Sequence, residues 1–352
     1  MHEPAGTTSL YAGLRQHPEV FMCYPKEPHH FTQVNPPHQL RWHFEGYTDR
    51  HRYLRLFEGS RRFRAIGEAS TSYLWHPQGA RRIRRQVPDA RIIISLRDPV
   101  ERAYSHYLMH VREGIQSLSL YDALAEDLTR TEEAWAISHF YVGKGRYAKQ
   151  VRRYLEVFGR DRVKIVLFDD LKRDPVAKLL EVVQFLGLDP APVARIDAAR
   201  VRNPYRASRG RWAEFLAGNK LSRMLGETVV PRRLGSFIYE HFLLKRADKP
   251  PTDPRAQELL LEIYEPEIDE LERIVGRKMP ELRRTWPVDE EPSPTKKRTV
   301  ASASLCSLLD IASAQVWSRS TCCLKDGRTP FALDGQDRRH RSNVGLRRGR
   351  RD

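Results

Sequence analysis

Arg91-Ile92-Ile93-Ile94-Ser95-Leu96-Arg97-Asp98-Pro99-Val100-Glu101-Arg102-Ala103-Tyr104-Ser105 is the stretch on which the fold turns. Its first six residues form a nearly unbroken apolar, β-branched run, the pattern of a strand covered on both faces in a parallel sheet. Pro99 then falls at a first helical position, where its missing N–H costs nothing, and predicts a helix from Pro99 to Arg112. A buried strand that opens onto a helix N-terminus turns free N–H groups and the positive end of the helix dipole toward an anion. Arg97 adds a planar fork of donors to that place, and Ser105 a hydroxyl on the helix that follows.

Working outward, Phe63–Ile66 and Val163–Phe168 are further runs of strand length. Helical spacing marks Leu120 to Asp127, Arg146 to Phe158, Pro175 to Leu186 and Glu258 to Val275. Strand–helix alternation of this kind predicts an α/β fold, an open parallel sheet flanked by helices. It sets residues 1–286 apart as one domain. After Trp286 the chain turns to Pro-Ser-Pro, Lys-Lys-Arg, a Ser/Ala-rich stretch and an Arg-rich end, so residues 287–352 are expected to be a disordered, basic, low-complexity tail. A shifted reading frame is one way such a tail arises.

The chain has 352 residues and a net charge of +16, from 61 Lys+Arg against 45 Asp+Glu. Residues 287–352 hold 13 basic and 8 acidic side chains; the remaining 48 and 37 leave residues 1–286 at +11. The body is therefore basic in its own right, which favours an anionic ligand. No apolar run approaches the length of a membrane span. Met1-His2-Glu3-Pro4 lacks the basic-then-apolar order of a secretory leader, and Cys23, Cys306, Cys322 and Cys323 make no disulfide framework. A cytoplasmic location is the expectation. Aromatic residues are sparse among the arginines of the tail, so nucleic acid is not the expected partner. The Gly-x-x-x-x-Gly-Lys-Ser/Thr run of a P-loop kinase is absent.

Two other stretches carry chemistry. Ala5-Gly6-Thr7-Thr8-Ser9 precedes an amphipathic run through Leu10 and Leu14, and could either cradle a phosphate or simply cap a helix. Tyr24-Pro25-Lys26-Glu27-Pro28-His29-His30-Phe31 places a carboxylate between a lysine and a histidine pair, a candidate general base. Neither histidine has partners at zinc-ligand spacing, and no metal is expected.

Taken in this order, the three motifs resemble the sulfotransferase family that uses 3′-phosphoadenosine 5′-phosphosulfate, in particular its bacterial and glycan-modifying branches. The resemblance runs from about Gly6 to Trp286. It implies that Ala5, Gly6, Thr7, Thr8 and Ser9 form the loop that binds the donor's 5′-phosphosulfate, and that Arg97 and Ser105 hold its 3′-phosphate. Glu27 would be the base that takes the acceptor proton, oriented by His29. Gly67-Glu68-Ala69-Ser70-Thr71-Ser72-Tyr73 resembles the segment that lines the acceptor cleft. Gly145-Arg146-Tyr147 and Phe185-Leu186-Gly187-Leu188 follow the family's usual progression, and Arg209 and Gly210 stand where it closes a basic loop over the donor phosphates. The implied co-substrate is the nucleotide sulfate donor; the implied acceptor is a carbohydrate, a glycolipid or another small molecule.

The sequence also departs from the family. The lysine that normally stands two residues before the loop glycine is Pro4 here, and no lysine occurs before Lys26. Lys26 belongs to a different loop and is not expected to take its place. Only five residues precede Gly6, so the first, central strand is expected to be missing. A misplaced start and a truncated copy both account for this, and a weakly active or inactive chain, a nucleotide-binding remnant, is the corresponding expectation. Ala69 and Thr71 stand where lysine and proline are common, which bears on acceptor contacts.

Overall fold

The computed structural model describes residues 6–32, 47–112, 116–129, 140–197, 206–208, 244–246, 249–286 and 313–319. Four strands run parallel: β1 (Val20–Met22), β2 (Ala65–Ser70), β3 (Arg91–Leu96) and β4 (Val163–Leu167). A fifth, whose label β7 follows a small separate pair β5 (Arg206–Ser208) and β6 (Leu244–Arg246), spans Ser313–Arg319. The sheet order is β1-β2-β7-β3-β4, with β7 antiparallel to both neighbours.

Helices cover both faces. Along the chain they are α1 (Gly6–Arg15), α2 (Arg50–Arg55), α3 (Ser72–Trp75), α4 (Gly79–Gln86), α5 (Pro99–Arg112), α6 (Leu120–Thr129), α7 (Tyr147–Phe158), α8 (Phe168–Arg173), α9 (Pro175–Leu186) and α10 (Pro254–Val275). The expected helices at 99–112 and 175–186 have those bounds, and the strand at 91–96 likewise. Ile92, Ile93 and Ile94 are all fully buried, as a two-faced strand requires. Ile93 packs with Leu10 and Leu14 of α1 and with α9; Ile92 and Ile94 pack on the opposite face with Ile83, Tyr147 and Val151. Each such side chain contributes on the order of 1.5–3 kcal/mol by leaving water.

Among the described residues no strand precedes α1, but the centre of the sheet is not left open: part of the segment read as a disordered tail occupies it. The inner edges of β2 and β3 would otherwise expose two rows of unpaired backbone groups, and β7 pairs with both. Its seven residues alternate too briefly to announce a strand. Trp317 packs into the core opposite Gly67, where a Cβ would lie 2.6 Å from the indole ring. Glycine is the residue that leaves this space. Gln315 is fully buried between Ala69 and Ile93, and neither atom of its amide has a hydrogen-bond partner among the described residues. The remainder of 287–352 lies outside the described residues. Among the described residues no helix is long and apolar enough to cross a membrane.

Candidate active site at the carboxyl ends of the parallel strands

In open α/β sheets, ligands bind beyond the carboxyl ends of the strands. Three of the segments that leave that edge concern the site: the loop after β1 carries Lys26, Glu27 and His29, the end of β2 leads to Thr71 and Ser72, and β3 leads directly into Arg97. Helix α1 runs back against β1, so its N-terminal turn comes to the same edge.

The first group centres on Glu27, whose side chain is 17% exposed. Lys26 Nζ donates to its Oε1 at 2.9 Å, and Thr71 Oγ1 donates to its Oε2 at 2.9 Å. His29 Nε2 stands 3.4 Å from the same Oε2. Burial holds the His29 pKa below the ordinary imidazole value despite the neighbouring carboxylate. An ionised carboxylate only accepts, so Nε2 carries the proton and Nδ1, 2.6 Å from Ser72 Oγ, accepts from that hydroxyl. The backbone is fixed as tightly. Glu27 and His29 both adopt left-handed φ values, 63° and 54°, which are costly for these residues and cluster at functional sites. Glu27 N donates to Ala69 O at 3.0 Å, and His29 N to Ser70 Oγ at 3.1 Å.

The segment expected to line the acceptor cleft is divided. Thr71 and Ser72 reach the Glu27–His29 pair, but Glu68 and Tyr73 belong to the core. Glu68 accepts from Tyr53 OH at 2.6 Å, from Tyr73 OH at 2.8 Å and from Ser70 Oγ at 3.0 Å. Burial lifts its pKa to about 7 against those hydrogen bonds.

The second group is built on β3 and α5. Arg97 is buried; its Nε and Nη2 donate to Glu101 Oε2 at 3.0 and 2.9 Å, and its Nη1 reaches Ser105 Oγ at 3.3 Å. Eight residues apart, the two meet because Arg97, in the turn between β3 and α5, lays its guanidinium along the first two turns of the helix that carries Ser105. Lys249 Nζ donates to the same Ser105 Oγ at 2.7 Å. Burial would raise the Glu101 pKa, but the cations of Arg97, Arg284 and Lys249 hold it at about 2. Asp98 caps α5 through Oδ1, accepting from Val100 N and Glu101 N, while its Oδ2 ties Thr285 to the site. Tyr147 OH donates to Arg97 O at 3.0 Å. A serine hydroxyl with two cations converging on it is a donor set that fits a phosphate monoester.

Gly6, Thr7, Thr8 and Ser9, expected to form the phosphosulfate loop, make up the first turn of α1. Ala5, Arg209 and Gly210 lie outside the described residues. Lys26, in a different loop, donates from its Nζ to Thr8 Oγ1 at 2.9 Å and so reaches the first turn of α1. Lys249 was missed, although a lysine before Pro250-Pro251 and a following helix was a readable signal. Lys144 was missed too; burial, with Arg102 adding to it, brings its pKa down to about 7 close to Glu27. Among the described residues no group of three or more His, Cys, Asp or Glu side chains could hold a metal ion.

The model of the sulfotransferase family matches residues 2–192, more than half of the chain, and the protein belongs to that family. A crystal structure of a sulfotransferase from Alicyclobacillus acidocaldarius superposes with a TM-score of 0.59 at 30% identity, covering 80% of this chain and 97% of that one. The bifunctional heparan sulfate N-deacetylase/N-sulfotransferase 4 of Mus musculus is 24% identical over 283 residues, 78% of this chain and 29% of that protein. Carbohydrate sulfotransferase 15 of Homo sapiens is 26% identical over 256 residues, 56% of this chain and 46% of that protein. The chain thus spans less than half the length of these two relatives.

Proposed function

We propose that the protein transfers the sulfuryl group of 3′-phosphoadenosine 5′-phosphosulfate to a hydroxyl or amine of a carbohydrate. The observation that carries this reading is that a partly exposed, rigidly oriented carboxylate and a cationic serine site share one edge of the sheet. Arg97, Ser105 and Lys249 would hold the 3′-phosphate. The N–H groups of the α1 N-terminal turn, with Thr7 and Thr8, would face the 5′-phosphosulfate. Glu27 would accept the acceptor proton, with His29 and Thr71 fixing the carboxylate in one orientation. Positioning and electrostatic stabilisation carry most of the barrier in such a transfer. Relatives named for heparan sulfate and carbohydrate sulfation support a glycan acceptor.

The test uses the full chain. Calorimetric titration with adenosine 3′,5′-bisphosphate is expected to show binding that Arg97→Ala weakens by at least about tenfold, the value of a lost charge-assisted hydrogen bond. Radiolabelled donor, offered with N-desulfated heparin and unsulfated chondroitin, is expected to label one of them. Nucleotide binding without transfer to any glycan would leave a nucleotide-binding protein in place of an enzyme.

A further inference from the structure

We propose that Lys26 is the cation that contacts the transferring sulfuryl group, the position left open by Pro4. This rests on the sulfuryl-transfer reading above and adds a residue to it. Lys26 is 5% exposed, and its Nζ joins two places that such a transfer must bring together. One is Thr8 Oγ1, in the α1 turn that faces the donor; the other is Glu27 Oε1, the carboxylate that faces the acceptor. Both distances are 2.9 Å. A cation that touches both ends of the reaction path is placed to meet the group that travels between them.

The loop is shaped to keep it there. Glu27 N is clamped to Ala69 O, the left-handed conformations of Glu27 and His29 turn the chain sharply on either side of Pro28, and Cys23 O accepts from Tyr11 OH of α1 at 2.6 Å. The loop after β1 is therefore tied both to the end of β2 and to α1. Lys26 belongs to a different loop from the α1 turn, and these contacts bring the two together.

Charge accounting gives Lys26 a role as well as a place. In the step, the acceptor oxygen forms a bond to sulfur while the bond from sulfur to the bridging oxygen breaks. The electron pair stays on that oxygen, giving adenosine 3′,5′-bisphosphate, and the acceptor proton passes to Glu27. Glu27 becomes neutral as negative charge grows on the departing phosphate. Lys26 loses its anionic partner at the moment a new anion forms beside it, and its N–H donors shift from the carboxylate to the bridging oxygen without any proton leaving the amine. Electrostatic stabilisation of this sort acts in the transition state rather than on the bound substrate.

Lys26→Met keeps the aliphatic stem and removes the charge. It is expected to lower kcat by about 10²–10³-fold with KM and affinity for adenosine 3′,5′-bisphosphate little changed, following the loss of one preorganised donor. Lys26→Arg should recover part of the rate. The acid limb of the pH–rate profile should move upward in Lys26→Met, because Glu27 loses the cation that favours its charged form. Wild-type kcat in Lys26→Met, or equal loss of affinity for both nucleotides together with a lower melting temperature, overturns the proposal. A folded wild-type chain that binds neither nucleotide removes the sulfuryl-transfer reading itself, and this inference with it.

Discussion

Glu27 has three polar partners and Glu68 has three hydroxyl donors, yet the two carboxylates are suited to different work. Glu27 is partly exposed beside a cation, so replacing it with Gln should lower turnover by roughly 10²-fold or more, the usual general-base contribution, with donor binding retained. Unchanged turnover would take it out of that role. Glu68 has no cation beside it in its network, and burial moves its pKa from 4.5 to about 7. A folded-state value above the unfolded one adds stability that is complete below pH 4.5 and is lost as the pH rises through about 7. At about 1.4 kcal/mol per unit, the difference is on the order of 3 kcal/mol. Urea midpoints of wild type and Glu68→Gln, measured between pH 4.5 and 8, should therefore diverge with pH; a constant offset would show that Glu68 does not titrate in this range. Arg97 and Ser105 were legible because their contact is local, a turn residue reaching a helix that begins two positions later. Lys26 and Thr8 meet only through the packing of α1 on the β1 loop, and no spacing in the sequence records that.

Of the elements that the sequence left unread, β1 among them, β7 is the one at the centre of the sheet. Strands β3 and β4 announce themselves by consecutive β-branched and apolar residues, and α5 and α9 by a proline at the start. Strand β2 shares only Ala65 and Ile66 with the expected run Phe63–Ile66 and continues through Gly67, Glu68 and Ser70, which carry no strand signal. Ser313–Arg319 offers one buried valine and one buried tryptophan in seven residues, and its pairing is entirely long-range. Two substitutions test its packing in opposite directions. Gly67→Ala forces a methyl group against the Trp317 ring and should destabilise the protein by about 1–3 kcal/mol in denaturant unfolding. Combining it with Trp317→Leu should cost less than the sum of the two single changes. Gln315→Met removes a buried amide without partners at similar volume and should stabilise by about 1–3 kcal/mol. A loss of stability in that variant would mean the amide has partners after all.

At the scale of the whole molecule, the sheet is completed by a segment that lies outside the part matched by the family model, residues 2–192. A fragment comprising residues 1–290 keeps every residue placed in the active site but leaves β2 and β3 without their common neighbour. It is expected to aggregate or to lose near-ultraviolet dichroism, whereas the full chain gives a single sharp melting transition. The charge reading survives at this scale in a different form: much of the basic excess near the site is matched, with Glu101 shared by Arg97 and Arg284 and Glu27 held by Lys26. The position of β7 also sets an order of events during synthesis. Its partners, β2 and β3, leave the ribosome more than two hundred residues before it does. A nascent chain must therefore carry an open cleft between β2 and β3 while more than two hundred residues are added, and the native sheet can close only when β7 arrives. High contact order of this kind slows folding and lengthens exposure to aggregation. Chaperone dependence in cells, rather than low stability of the finished protein, is the expected consequence.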